Sequence, residues 1–284
     1  MPWWKRSRKP APQPEPDPRW QPGWVSAPGI SAPEYRAQLI ADLCAQSPDA
    51  PEAYARIQAE FAKLPTEADR EHAPLHEVRY LQTYLMAPHG PGHIVDVGGP
   101  SVHNVPLAQL KGWEIDTVEI LSIDYETDPL PYPDASQDGV LLCEVIEHFV
   151  LDPMFCLMEI NRILKPGGFL VVTTPNVASW FAVFQALQQQ APNRWAFYSG
   201  DPSKARNHIH AREYLVSDFH TLLPAAGFEV EDIVTRDYGV HPPYCPIPGY
   251  SEEDRGDTIF CRARKTGAPV KRFVSPPYLE DEDI

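Results

Sequence analysis

Three short, largely apolar runs constrain the fold of this chain more than any other feature of its sequence. They cover residues 93–97, 140–143 and 169–173. Runs of this length are typical of parallel strands that are buried on both faces of a sheet. A helical pattern over residues 155–164 separates the last two runs, and a Pro-Gly-Gly turn at residues 166–168 ends it. Strands that alternate with helices predict a doubly wound, mostly parallel α/β sheet with helices on both faces.

The rest of the chain divides into segments of different composition. Residues 1–32 are dense in proline and are predicted to form a disordered, extended arm. Residues 33–88 place apolar side chains at helical spacing and predict an N-terminal helical cap. Residues 89–265 hold the predicted α/β domain, and residues 266–284 form an acidic tail. Further elements are expected as strands at 115–121, 228–234 and 258–262, a short strand near Ile123, and helices at 177–189 and 214–223.

Charge and cysteine content exclude several classes of partner and site. The formal net charge of −15 disfavours nucleic acid, because an acidic protein repels the phosphate backbone. No apolar run reaches the ~20 residues that a membrane-spanning helix requires. The five cysteines form no CxxC pair, so we expect neither a disulfide framework nor a zinc site, and a reducing cytoplasm fits best. The oligomeric state cannot be read from these features.

Candidate ligand-binding residues follow the ends of the predicted strands. In an open α/β sheet, ligands bind at the carboxyl ends of the strands. The first strand runs through Asp96 into Gly98 and Gly99, where glycine lets the backbone turn sharply and approach a ligand. The second ends in Glu119, an acid that can accept hydrogen bonds from ribose hydroxyls. Each signal alone is weak, since dinucleotide-binding enzymes share it, although the GxGxxG turn of those enzymes does not occur here.

Several motifs occur in an order that carries a family resemblance. The segments are "LPYPD" from residue 130, "EVIEH" from residue 144, "EINRILKPGG" from residue 159 and "TTPN" from residue 173. Together they resemble the class I S-adenosylmethionine-dependent methyltransferases of the small-molecule, type 11/12-like family. The segment His210-Ala211-Arg212-Glu213-Tyr214 is similar to the "HNREY" signature of one bacterial branch, with alanine in place of asparagine. The resemblance implies a Rossmann-like fold, S-adenosylmethionine as cofactor and methyltransferase activity.

The same resemblance implies roles for individual residues. Gly98 and Gly99 would lie under the methionine part of the cofactor, after the motif's acid, Asp96. Glu119 would hold the ribose. Either Asp128 or Glu126 would reach the adenine amino group. The residues expected to line the pocket near the sulfonium are Cys143 and Glu144, and those expected to start the following helix are Glu147 and His148.

Two departures from the family pattern leave some of these roles open. The glycine-rich loop has Pro100 and Val102 where its second and third glycines are usual. The stretch between Glu119 and Asp138 is too short for a full helix-plus-strand crossover. Asp116 therefore stays an alternative to Glu119, and Asp124 an alternative for the adenine contact.

The acceptor is expected to be a small molecule or a glycan, methylated on oxygen or nitrogen. A hydroxyl acceptor benefits from a general base, for which His210 is the first candidate and His148 the second, whereas an amine needs none. The spacing of His208 and His210 alone does not indicate a metal site, and we expect none. The alternative function is that of a degenerate methyltransferase fold that acts as a non-catalytic binding or regulatory module.

Overall fold

A computed structural model of the chain describes residues 29–98, 104–119, 122–192 and 209–272. Within them, six strands form one sheet in the order β2-β1-β3-β4-β6-β5. Neighbouring strands among β1 to β4 are parallel, and β6 runs antiparallel to both β4 and β5. This confirms the mostly parallel sheet. The strands are β1 (Gly92–Gly98), β2 (Trp113–Glu119), β3 (Gln137–Cys143), β4 (Leu164–Pro175), β5 (Phe228–Arg236) and β6 (Thr258–Lys265).

Helices cover both faces of the sheet, as the sequence predicts. On one face, side chains of α6 and α8 such as Leu157 and Phe219 are fully buried against the apolar residues of β1, β3 and β4. On the other face, α4 packs on β4 and β6, and Met86 at its end joins Phe169 and Phe260. The helices are α1 (Ala32–Cys44), α2 (Ala50–Phe61), α3 (Glu67–His72), α4 (Glu77–Met86), α5 (Asn104–Lys111), α6 (Pro153–Ile163), α7 (Trp180–Leu187) and α8 (Val216–Ala225).

The N-terminal helices share an apolar core of their own. Leu43, Ile57 and Leu81 are buried there together with Leu107 of α5. Ser31 caps α1, since its hydroxyl accepts a hydrogen bond from the backbone N–H of Glu34, and the Glu34 carboxylate accepts one from the backbone N–H of Ser31. The helical segment is therefore joined to the sheet through α4 and α5. The predicted proline-rich arm lies outside the described residues except for its last few positions, as does most of the acidic tail.

The short connection from β2 to β3 departs from the expectation of a strand near Ile123. That prediction is wrong: among residues 122–136 the structure has neither strand nor helix. The backbone instead turns at Asp124, whose carbonyl accepts hydrogen bonds from Thr127 and Asp128. Ile123 packs against the core on one face of the sheet, so its apolar side chain is partly buried although the residue pairs with no strand.

The Pro-Gly-Gly segment also differs from its prediction as a simple turn. Residues 166–168 lie inside β4, which begins at Leu164 directly after α6. Leu164 pairs with Gln137, and the register shifts before Gly139 pairs with Phe169. The glycines accommodate this irregularity, and Gly167 has a φ of 77°. No helix within the described residues has the length and apolar composition to cross a membrane.

Candidate functional site

The carboxyl end of β1 needs a glycine at position 98. Gly98 has a φ of 139°, and a Cβ atom there would lie 2.5 Å from Cγ2 of Val145. Glycine thus allows the end of β1 to run close against the turn that follows β3. In the parallel register, Gly98 is level with Glu119, the last residue of β2. Gly99, the second predicted glycine, lies outside the described residues.

The structure separates the two acids proposed for the second strand. The side chain of Glu119 is exposed at the carboxyl edge. Asp116 is level with Val95, three residues before the end of the strand. Asp116 is also exposed, so its position along the strand, not its burial, separates it from Glu119.

The acidic residues of the loop after β2 make different hydrogen bonds. Glu126 accepts hydrogen bonds from the backbone N–H groups of Val150, Leu151 and Asp152 at 3.0, 2.5 and 2.6 Å, so it holds the segment that leads into α6. Asp128 accepts one from the backbone N–H of Asp124 at 2.8 Å and is exposed. Three acids were considered for the adenine contact, and Asp128 is more accessible than Glu126 and Asp124.

Asp96 and Cys143 lie next to each other inside the sheet, near the ends of β1 and β3. Asp96 is buried, and its strand neighbour on β3 is Leu141. Burial, followed by the charge of Asp96, raises the pKa of the Cys143 thiol. The thiol is therefore held in its protonated form.

Glu144 follows β3 in a left-handed conformation, with a φ of 57°. Few non-glycine residues adopt it, and they do so where the surroundings hold them in place. The surroundings here are three polar side chains. Arg79 on α4 is 3.1 Å from a carboxylate oxygen of Glu144, the hydroxyl of Thr173 donates at 2.9 Å, and that of Tyr238 donates at 3.1 Å.

Glu147 is more deeply buried than Glu144, with 1% of its surface exposed. The hydroxyl of Thr174 donates to its carboxylate at 2.8 Å. Burial raises the pKa of Glu147 well above its usual value, and the nearby charge of Glu144 raises it further. Its backbone carbonyl accepts hydrogen bonds from Ala211 and Arg212 at 2.9 and 3.3 Å. These bonds tie residues 209–214 to the carboxyl edge.

The two predicted general bases meet above this edge. The rings of His148 and His210 lie edge to face with centroids 4.9 Å apart. Nδ1 of His148 is 2.6 Å from the carbonyl oxygen of Ile209, and Nδ1 of His210 is 3.3 Å from a carboxylate oxygen of Glu213. His208 lies outside the described residues. The structure thus brings His210 together with His148 and Glu147.

The expectation that Glu147 and His148 start the next helix is wrong. They lie in a single 3₁₀ turn, Ile146–His148, and α6 begins only at Pro153. Asp152 caps α6 through a hydrogen bond from the backbone of Phe155, and a proline is favoured at the first helical position. The 3₁₀ turn is therefore a separate element between β3 and α6.

Part of the chain is similar to known proteins. Residues 83–172, which run from α4 to β4, match the family model described as "Methyltransferase domain". A Mycolicibacterium smegmatis protein named a probable S-adenosylmethionine-dependent methyltransferase is 38% identical over 103 residues, which is 36% of this chain and 33% of that protein. Residues 83–172 are therefore similar to a methyltransferase domain. The chain aligns with only a third of the length of the Mycolicibacterium smegmatis protein.

Solved methyltransferases are also similar to the chain. A SAM-dependent methyltransferase from Thermotoga maritima has 23% identity and a TM-score of 0.43, covering 67% of this chain and 91% of that one. A SAM-dependent methyltransferase from Archaeoglobus fulgidus has 16% identity and a TM-score of 0.42, covering 67% and 92%. S-adenosylmethionine is the cofactor named for the methyltransferase domain in these relatives.

Two residues at the carboxyl edge of the sheet could not be assigned to the site from the sequence. Arg79 and Tyr238 bind Glu144 from segments far away in the chain. Arg79 had a signal in the sequence, because it lies in the first turn of α4 and is the last charged residue of that helix. Tyr238 had none, since it lies in a loop whose path the sequence does not predict.

Proposed function

We propose that this chain transfers the methyl group of S-adenosylmethionine to a small-molecule or glycan-type acceptor, on oxygen or nitrogen, by in-line displacement. One observation carries the proposal: Gly98, Glu119 and Glu144 end neighbouring strands at the same sheet edge, beside the His148–His210 pair. Ligands of open α/β sheets bind at this edge. The cofactor would occupy the β1–β2 side, and the acceptor the side of the two histidines.

The cofactor side offers a partner for each part of S-adenosylmethionine. The close backbone approach at Gly98 suits the methionine part, for which the family resemblance also names Gly99. The exposed carboxylate of Glu119 would accept hydrogen bonds from both ribose hydroxyls, and that of Asp128 would reach the adenine amino group. Cys143 and Glu144, beside the buried Asp96, would line the pocket near the sulfonium.

The acceptor side supplies positioning and a base. The sulfonium already activates the methyl group, so the protein mainly aligns the acceptor behind it, which can lower the barrier by ~7–11 kcal/mol. When Nδ1–H of His210 donates to the Glu213 carboxylate, Nε2 becomes the basic nitrogen. His210 would accept the proton of an acceptor hydroxyl, with His148 as second candidate, and an amine acceptor would not require this step.

Aromatic side chains near this edge support an acceptor with an apolar part. The rings of Phe181 and His241 are stacked at 5.2 Å, and those of Phe184 and Tyr244 at 5.4 Å. They join α7, which follows β4, to the loop after β5. All five cysteines are free, which supports a reducing compartment such as the cytoplasm as the place of the reaction.

Calorimetric titration of the full chain with S-adenosylmethionine tests the proposal first. We expect saturable binding with one equivalent of ligand. Transfer of label from S-[methyl-³H]adenosylmethionine into a deproteinised small-molecule extract then tests catalysis. A silent titration would contradict the proposal and favour the non-catalytic module.

The His210→Ala variant tests the acceptor side in the same assays. Turnover should fall while cofactor affinity and the thermal midpoint hold, because His210 is assigned to the acceptor. His220→Ala is the matched control, since His220 is exposed on α8. If cofactor affinity or folding collapses together with turnover in His210→Ala, the acceptor-side assignment is wrong.

A further inference from the structure

We infer that Glu147, His148 and His210 form a binding site for a divalent transition-metal cation on the acceptor side of the sheet edge. Each residue offers one ligand atom, and the three atoms lie within 4.8 Å of one another. The role that we give to the ion in catalysis rests on the proposed function; its binding does not.

The donor set matches the chemistry of zinc-type ions. Two imidazoles and one carboxylate are the protein ligands of many catalytic zinc sites, which keep a further position open for water or substrate. Metal–ligand bonds of about 2.0–2.2 Å place two ligand atoms of one ion at most about 4.4 Å apart. The three atoms are therefore already close to the spacing that one ion requires.

Hydrogen bonds behind the ligands orient them as in known metal sites. A metal-binding histidine usually donates its second ring N–H to a carbonyl or a carboxylate, which fixes the tautomer. Nδ1 of His148 has the carbonyl of Ile209 at 2.6 Å, and Nδ1 of His210 has the carboxylate of Glu213 at 3.3 Å. Both bonds make Nε2 the lone-pair nitrogen, while the hydroxyl of Thr174 anchors the Glu147 carboxylate at 2.8 Å.

The backbone holds the two ligand-bearing segments together. Glu147 and His148 lie in the 3₁₀ turn after β3, and His210 precedes a residue whose N–H donates to the Glu147 carbonyl at 2.9 Å. The hydroxyl of Tyr214 adds a bond to the carbonyl of Ile146 at 3.3 Å. The site is thus built on backbone that is fixed before an ion arrives.

A bound ion would change how the acceptor loses its proton. An acceptor hydroxyl in the open position has a lowered pKa, so its proton passes to water and leaves an alkoxide. The alkoxide oxygen forms the bond to the methyl carbon while the carbon–sulfur bond breaks. The electron pair of that bond stays on sulfur, and neutral S-adenosylhomocysteine leaves. The imidazoles of His148 and His210 would then be ligands of the ion and would not accept the proton themselves.

Direct titration of the full chain with Zn²⁺ tests the site. After dialysis against EDTA and removal of the chelator, we expect one equivalent of tightly bound Zn²⁺ in competition with a chromophoric chelator. Glu147→Gln and His210→Ala should each weaken binding by at least about tenfold. His148→Ala serves as a further variant should Glu147→Gln not fold. Glu229→Gln and His220→Ala are matched controls on exposed positions and should bind as the parent does.

Two results would overturn the inference. One is the absence of stoichiometric Zn²⁺ binding by the folded parent chain. The other is unchanged affinity in the folded His210→Ala and His148→Ala variants, which would move the ion to other surface groups. S-adenosylmethionine titration of the same samples separates the two proposals: zinc binding without cofactor binding refutes only the proposed function, and cofactor binding without zinc refutes only the metal site.

Discussion

The two halves of the sheet's carboxyl edge hold their acidic residues in different ways. At the ends of β1 and β2, Glu119 is exposed and its position follows from strand register with Gly98. At the ends of β3 and β4, Glu144 is bound by Arg79, Thr173 and Tyr238, and Glu147 is buried. An exposed acid costs little desolvation and stays available for a ligand, whereas a buried acid requires protein partners.

This difference separates binding from stability. In the β1–β2 half, removing the exposed carboxylate of Glu119 should weaken ligand binding and leave folding unchanged. In the β3–β4 half, the charges belong to a network that links α4, the sheet and the loop after β5. A change in that network should therefore affect folding as well as function.

The largest expected effect is on the partly buried pair of Arg79 and Glu144. Their side chains are 15% and 17% exposed. Because Arg79→Met leaves the carboxylate without its cation, we expect the free energy of unfolding to fall by about 3 kcal/mol. Arg56→Met is the control, since Arg56 pairs with Glu52 at the surface, and should cost less than about 0.5 kcal/mol. Denaturant unfolding compares the two variants. Equal losses would mean that the Arg79–Glu144 pair contributes no more to stability than a surface pair.

A smaller effect, confined to binding, is expected for Glu119→Ala. Two charge-assisted hydrogen bonds would be lost at an exposed position, where each is worth about 1.5 kcal/mol, the low end of the usual range, so the Kd for S-adenosylmethionine should rise by about a hundredfold. The free energy of unfolding should stay within about 0.5 kcal/mol of the parent. Glu114→Ala, on an exposed position of the same strand, is the matched control for calorimetry. Unchanged affinity in folded Glu119→Ala would move the ribose contact to Asp116 or Asp124.

The smallest effect is on the pH dependence of stability, through His76. Burial, then the charges of Arg79 and His72, lower the pKa of His76 to about 3. The rings of Tyr80 and Tyr238 also face it, at 6.0 and 5.8 Å. Because the folded pKa lies below the unfolded value of about 6.5, protonation favours unfolding. Stability should fall as the pH drops from about 6.5 towards 3, by about 2–3 kcal/mol at pH ~4.5.

The His76→Leu variant isolates this contribution. The difference in unfolding free energy between pH ~7 and ~4.5 should shrink by about 2 kcal/mol relative to the parent chain. His220→Leu, on the exposed face of α8, should leave that difference unchanged. An unaltered pH dependence in His76→Leu would mean that His76 is not held neutral by the network around Arg79.

The same contrast explains what the sequence could predict. Apolar runs and turn residues are local signals, so β1, β3 and β4 and the position of Glu119 at a strand end were predictable. Ile123 shows a limit, because an apolar residue beside an edge strand can pack on the core without pairing. The meeting of His148 with His210 depends on hydrogen bonds from Ala211 and Arg212 to the carbonyl of Glu147. No local pattern encodes contacts across that distance in the chain.

A crystal structure of the full chain with S-adenosylhomocysteine tests the central claim most directly. We predict that the ligand lies at the ends of β1 and β2, with its ribose on Glu119, its amino acid part over Gly98 and its sulfur towards Cys143 and Glu144. The His148–His210 side would remain open for the acceptor. A ligand bound over the β4–β6 half of the edge, or an empty edge at saturating ligand concentration, would contradict the account.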